Sequence, residues 1–354
     1  IRSSGTLPNL TNLVDWGKWA VTLREEFKIV LGGFRKDAKG LDPATDKSKL
    51  EHLGKQISKY EGICQRLQFA KYVQEQPQFW VFNRGLDKRQ QKYIELKPVM
   101  VHMFNELITK FSKKRLLMSA TLSPIIVKSL GFDLDKCAYV RVAHSPYPIK
   151  HRQIFFADVG KLTRKEYENS IDKILKFTLD VCNHYKGVKG LILPFTHKIA
   201  GDISSYLVDE GLGHRVITHG QDKHSRDVAI ARFKESNKSD ILISTYVNQG
   251  HSFDDDMARF LIIPKIPFPY LGDPQIKKRA DIDPQWYQWR TAMTLVQMSG
   301  RGVRNVDDWC DIYILDSSFL NFYRRNQDLL PPHFVEALTT DHEKLYGLIN
   351  GLVK

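Results

Sequence analysis

The sequence predicts an α/β protein: a mostly parallel sheet with flanking helices, preceded by a mainly helical N-terminal segment. Two observations predict it. From about residue 80 to 316 short apolar strands recur, and several are separated by amphipathic stretches of helical length. Strands alternating with helices of that length indicate a parallel sheet covered on both faces. Before residue 80 the apolar residues instead recur every three or four positions, the helical period.

Taken in order, the chain opens on Ile1 rather than an initiator methionine, and IRSSGTLPNL lacks the apolar core of a signal peptide. A processed or truncated N-terminus is therefore expected. TNLVDWGKWAVTLREEFKIVL places Leu13, Trp16, Trp19, Ala20, Leu23 and Phe27 on one helical face. GGFRKDAKGLDPATDKS breaks the pattern, with Asp46 or Ser48 as caps. KLEHLGKQISKYEGICQRLQFAKYV resumes it. The two stretches predict an antiparallel helical hairpin with a basic outer face, either solvated or in contact with DNA. FWVFN and YIELKPV then read as strands, VHMFNELITKF as a helix, and KRLLMSATL as a strand ending in a polar turn. YVRVA, RQIFFADV, GLILPF, RVITHG, DILIST, RFLIIPKI and DIYILD are the further strands. KEYENSIDKILKFTLDVCNHY, HKIAGDISSYLVDEG and KHSRDVAIARFKES are helices between them.

Composition narrows the function classes. The 354 residues, 42% hydrophobic, suffice for two or three domains with real cores. No apolar run reaches the roughly 18–20 residues of a membrane-spanning helix. Cys64, Cys137, Cys182 and Cys310 lie far apart with no CxxC spacing, so neither a disulfide scaffold nor a zinc or iron–sulfur site is recognisable. Scattered thiols fit a reducing, intracellular compartment. The net charge of +13 suits a polyanionic partner such as nucleic acid.

The sharpest segment is LVQMSGRGVRNVDDWCDIYILD. A helical pattern runs through Gln297 into Gly300, Arg301 and Arg304. Three residues apart, the arginines would share one helical face, and Gly300 would let that helix approach another backbone closely. Two permanently charged, forked guanidiniums beside a Gln suit a triphosphate. The alternative is a surface basic helix paired with Asp307 and Asp308. Just upstream, DPQWYQWRTAM sets Trp286, Tyr287, Trp289 and Arg290 together, as base-stacking residues or, at helical spacing, as core.

The order of motifs resembles the C-terminal motor lobe of superfamily 2 helicases, specifically the XPD/DinG family. QMSGRGVR is similar to the family's QxxGRxxR motif. The resemblance implies that Arg301 and Arg304 are arginine fingers reaching the ATP γ-phosphate across a cleft between two RecA-like lobes, with Gln297 reading the phosphate and Gly300 beside it. LLMSATLSP resembles the motif in which Ser119 and Thr121 couple nucleotide state to lobe movement. GLILPFTHKIAGDISSYL resembles a strand–loop–helix that places Phe195 and Thr196 near the DNA backbone, the following helix offering main-chain N–H groups to phosphate. In ILISTYVNQGHSFDDD, Gln249, Gly250, His251 and Ser252 stand where Glu, Gly, an aliphatic residue and Asp are usual. Gly250, and Gln249 in place of the Glu, would be nucleotide contacts, with Asp254 to Asp256 partly replacing the lost charge. His251 reads as a local hydrogen-bonding residue, since no second ligand sits at metal spacing.

The resemblance implies a helical arch-like segment over 1–80, the end of a first RecA-like lobe over 81–122 and a second RecA-like lobe over 123–354. No GxxxxGK[ST] and no strand-end acidic pair occurs. ATP and Mg²⁺ would therefore be held only together with first-lobe motifs this sequence does not contain, and the chain alone is expected not to hydrolyse ATP. An iron–sulfur cluster, where the family has one, would lie outside it. The implied function is the C-terminal part of an ATP-dependent DNA helicase, 5′ to 3′, acting on single-stranded or forked DNA. Its compartment would be cytoplasm or nucleoid in a prokaryotic or viral setting and the nucleus in a eukaryotic one. The rival reading is a non-catalytic nucleic-acid-binding or regulatory protein built on a degenerate helicase lobe.

Overall fold

Apolar strands with no polar face must be covered on both sides, and the arrangement follows from that demand. The computed structural model describes residues 2–4, 10–86, 90–101, 104–109, 111–112, 114–142, 144–246 and 250–339. The chain packs as two compact units, neither continuous in sequence. One comprises 1–116, 124–137 and 270–284; the other comprises 117–123, 138–269 and 285–354.

In the first unit, β1 (Arg2–Ser4) precedes α1 (Leu13–Lys39), α2 (Lys47–Leu67) and α3 (Ala70–Glu75). β2 (Trp80–Leu86) and β3 (Lys92–Pro98) follow, then α4 (Phe104–Thr109) and α5 (Pro124–Ser129). The strands form an antiparallel sheet in the order β1-β3-β2. α1 and α2 form the expected antiparallel hairpin: Phe27 packs edge-on against Tyr60, and Arg24 Nε donates to the Cys64 carbonyl at 3.3 Å. Arg35 meets Glu61 at 2.6 Å. Asn12 caps α1, its side chain accepting from the Asp15 N–H at 2.9 Å. Trp16, Val73, Trp80, Ile94 and Leu96 make the core of this unit.

The second unit begins its sheet with β4 (Ile154–Gly160), followed by α6 (Tyr167–His184), β5 (Gly190–Ile192) and α7 (His197–Leu207). β6 (Val216–Ile217), α8 (Lys223–Glu235), β7 (Ile241–Ile243) and β8 (Phe260–Ile263) come next. The chain returns to the first unit for α9 (Pro274–Ile282), where Lys278 Nζ donates to the Trp80 carbonyl at 2.7 Å. α10 (Pro284–Ser299), β9 (Asp311–Asp316), α11 (Ser318–Asn326), α12 (Pro332–Ala337) and β10 (Leu338–Thr339) complete the order. Among the described residues the sheet has seven strands, β10-β4-β9-β8-β5-β7-β6, every neighbouring pair parallel. The predicted α/β class with a mostly parallel sheet and flanking helices is thus what forms.

Ile171, Ile174, Val181 and Cys182 of α6 and Ile199, Ile203 and Leu207 of α7 pack on Phe155, Ile192, Phe260, Ile262 and Tyr313 of the sheet. Their spacing of three and four places them on one helical stripe. The buried Arg215 guanidinium donates to the carbonyls of Cys182, Tyr185, Val188 and Ser239, which are satisfied there instead of by water.

Two predicted strands do not form. RLLM, residues 115–118, carries no regular structure, and Leu116 and Met118 are more than four-fifths exposed. Likewise, residues 139–142 of YVRVA are irregular, with Val140 and Val142 exposed. A strand exists through its ladder, and no described strand pairs with either segment. No helix among the described residues is long and apolar enough to cross a membrane.

Candidate nucleotide site

The site begins at the end of α10. Tryptophans Trp286 and Trp289 are buried, as core spacing predicts, and Tyr287 stacks on Phe268 while donating to the Pro269 carbonyl at 3.1 Å. α10 ends at Ser299, so Arg301 and Arg304 lie in the loop beyond it rather than on a shared helical face. Gly300 and Arg301 close the last turn, their N–H groups donating to Val296 and Met298 carbonyls at 3.1 and 3.3 Å. Just beyond the helix Gly302 packs tightly: a Cβ there would come within 2.4 Å of Cys310 Sγ. A Cβ at Gly300 would meet only its own helix's carbonyls, 3.4 Å away or more. Close approach therefore belongs to Gly302 rather than to the expected Gly300.

Leaving the helix splits the two arginines. Arg301 is buried; its Nε donates to the Gln297 carbonyl at 3.0 Å, and Nη1 donates to the His251 carbonyl. Burial, and then the neighbouring Arg304 charge, holds the Arg301 guanidinium below its usual range, at about 10, so it stays charged at neutral pH. Arg304 is exposed, and its guanidinium has no hydrogen-bond or ion-pair partner among the described residues. Asp307 and Asp308 do not pair with either guanidinium. Asp308 is buried against Arg259 instead, Oδ1 to Nη1 at 3.1 Å.

Gln297 reaches the polar turn at 119–121. Its Nε2 donates to Thr121 Oγ1 at 3.2 Å, and Thr121 N–H donates to Ser119 Oγ at 3.2 Å. A hydrogen-bonded chain thus runs from Ser119 through Thr121 and Gln297 to Arg301 and the His251 carbonyl. Gly250, before His251, has φ of +79°, a left-handed conformation that suits glycine. Burial, then the charges of Lys234, Arg226 and Arg301, hold the His251 imidazole below its usual pKa. Gln249 lies outside the described residues.

The comparisons with known proteins bear on this loop and its sheet. Residues 179–336, which include the arginine loop, match the family model described as the helicase C-terminal domain. Over those residues, somewhat less than half of its length, the chain is similar to that domain. It is 23% identical over 312 residues to the regulator of telomere elongation helicase 1 homolog of Aedes aegypti, covering 77% of this chain. That alignment spans only 28% of the relative's length. Two solved structures, described as XPD_APO and XPD_Helicase, share the fold at a TM-score of 0.50 each. They are 17% and 14% identical to the chain, which covers 59% and 62% of their lengths.

Within the matched residues, Phe195 and Thr196 occupy a separate loop at the carboxyl end of β5, the end at which open α/β sheets place their ligands. Phe195 is left-handed, φ 45°, a conformation that costs about 1–3 kcal/mol in a non-glycine residue and persists where its surroundings over-determine it. Thr196 caps α7, accepting from the Ile199 N–H at 3.4 Å. Asp256 and Asp255 are tied to Arg259 and Asn305, at 2.6 and 3.1 Å. Asp256 is therefore paired with a guanidinium, and Asp255 braces the arginine loop through Asn305.

As a test of fit, an unpaired, exposed guanidinium beside a buried charged one suits a polyanionic triphosphate. Among the described residues no group of three or more His, Cys, Asp or Glu could hold a metal ion. Sequence reasoning missed Arg259, Tyr147 and the inward role of Asp308. Only the acidic pair 307–308 beside the motif signalled them, and its spacing pointed to the wrong arginines.

Proposed function

We propose that this chain is the arginine-supplying C-terminal part of an ATP-dependent DNA helicase motor. The reading rests on one observation: the arginine loop pairs a buried, anchored Arg301 with an exposed, unpartnered Arg304, and Gln297 joins it to the Ser119–Thr121 turn. In the intact protein, ATP and Mg²⁺ would be held by first-lobe motifs, and a nucleotide bound there supplies the phosphoryl group to be transferred. Arg304 would meet its developing negative charge, and Arg301 would add positive potential from a water-poor position. Gln297 and Thr121 would relay nucleotide occupancy to the polar turn through their hydrogen bond. Phe195 and Thr196, with the chain's net +13 charge, would grip single-stranded or forked DNA with salt-sensitive affinity, and movement would run 5′ to 3′.

The test uses the intact protein. Arg301→Ala is expected to bind single-stranded DNA normally by fluorescence anisotropy and to lose DNA-stimulated ATPase by about 10³-fold or more. Unchanged turnover in that variant would sink the arginine-finger role. An intact wild type that binds DNA without hydrolysing ATP would favour the non-catalytic reading.

A further inference from the structure

The Arg304 backbone is held from both sides while its side chain has no partner among the described residues. Asp308, whose side chain is 0% exposed, spends one carboxylate oxygen on each of two tasks. Oδ1 accepts from Arg259 Nη1 at 3.1 Å, and Oδ2 accepts from the Arg304 N–H at 3.1 Å. On the other side, the Tyr147 hydroxyl donates to the Arg304 carbonyl at 2.8 Å. Arg259 is itself fixed: Nε and Nη2 donate to Asp256 Oδ1 at 3.1 and 2.6 Å, Nη1 donates to the Trp309 carbonyl at 3.1 Å, and the guanidinium lies 5.1 Å from the Trp309 ring centroid. Asn305 completes the turn, its Oδ1 accepting from the N–H groups of Asp307 and Asp308 at 3.0 and 2.9 Å.

We propose that Asp308, neutralised by Arg259, is a positioning residue that holds the Arg304 backbone so that the unpaired guanidinium is presented to the phosphate, with Tyr147 as the second clamp. The inference rests on the reading of Arg304 as an arginine finger. Two physical points support it. A group that stabilises charge in a transition state works best when it needs no reorganisation, and a backbone tethered at both its donor and its acceptor has little left to reorganise. A carboxylate so near a finger would ordinarily quench it by pairing. Here the Asp308 charge is engaged by Arg259 in a buried site, so the anion holds the Arg304 backbone without competing for its guanidinium.

The experiment compares the intact wild type with Asp308→Asn, Arg304→Ala and the double variant in steady-state, DNA-stimulated ATPase assays, with thermal melting alongside. Asparagine offers a single acceptor oxygen, so it sets an NH₂ against either Arg259 or the Arg304 N–H. Asp308→Asn should lower kcat by about 10–100-fold and leave KM for ATP within about threefold, the signature of a lost transition-state contact. The double variant should be no slower than Arg304→Ala alone. Wild-type kcat in Asp308→Asn overturns the proposal. So does a double variant slowed by the product of the two single effects, because independent effects would mean that Asp308 does not act through Arg304. Should Asp308→Asn fail to fold, Tyr147→Phe removes only the second clamp's hydroxyl. A fall in its kcat that vanishes in the Arg304→Ala background supports the clamp, and an unchanged kcat overturns it. A wild type without ATPase, or an Arg304→Ala as fast as wild type, overturns the arginine-finger reading together with the clamp, and either is seen before the Asp308 variants are interpreted.

Discussion

The central strands of the second unit and the long helices of the first meet the same requirement, burial of apolar surface, in opposite ways. Every residue of β5, β7 and β8 is buried. Of the 27 residues in α1, only Trp16, Gly17, Ala20 and Leu31 are buried, and Ile29 is 77% exposed. A strand covered on both faces has no silent position. A helix in a two-helix hairpin buries one narrow stripe and owes the rest of its persistence to caps, side-chain pairs and intrinsic propensity. The difference separates where stability is concentrated from where surface chemistry is free to vary.

The largest effect expected from that contrast is in the sheet. Phe260 is fully buried in β8, and Phe260→Ala should cost about 3–5 kcal/mol, read as a lower urea midpoint for the second unit. A loss below about 1 kcal/mol would mean that the sheet relaxes around the gap and that its tight covering is not what holds it. A smaller effect belongs to the start of α1. Asn12→Ala should cost about 1 kcal/mol, seen as faster amide hydrogen exchange in the first turn. Unchanged protection there would show that packing of Trp16 alone fixes where the helix begins. The smallest effect is at the exposed face: Ile29→Ser should shift stability by no more than about 0.5 kcal/mol in a thermal melt. A clear drop in the intact protein would instead reveal that this face is covered there.

The same contrast explains how much was legible beforehand. The runs GLILPF, ILIST and FLIIP have the length and continuity of buried parallel strands, and β5, β7 and β8 form within them. Trp16 and Ala20 on α1 and Leu67 on α2 were equally readable as buried stripe positions, because helical periodicity is local. RLLM and YVRVA carry strand-like composition too, yet neither is a strand, since composition cannot supply a ladder partner. In the arginine loop, residue identity was legible and geometry was not. The spacing of Arg301 and Arg304 fits a helical face, but the helix ends at Ser299, and the close packing of Gly302 on Cys310 just beyond it is a contact between residues eight apart that periodicity does not reveal.

The sequence by itself determined the α/β class, the helical hairpin and the presence of a GRxxR segment just after a helical stretch, because periodicity, apolar run length and motif order are all local properties of the chain. Only the tertiary structure decided that Arg301 is buried while Arg304 is exposed, and that Asp308 serves Arg259 and a backbone N–H rather than a neighbouring guanidinium. Those outcomes depend on which groups lose water together. In a buried site a carboxylate goes to the partners that satisfy both its oxygens, whatever stands nearest to it in sequence.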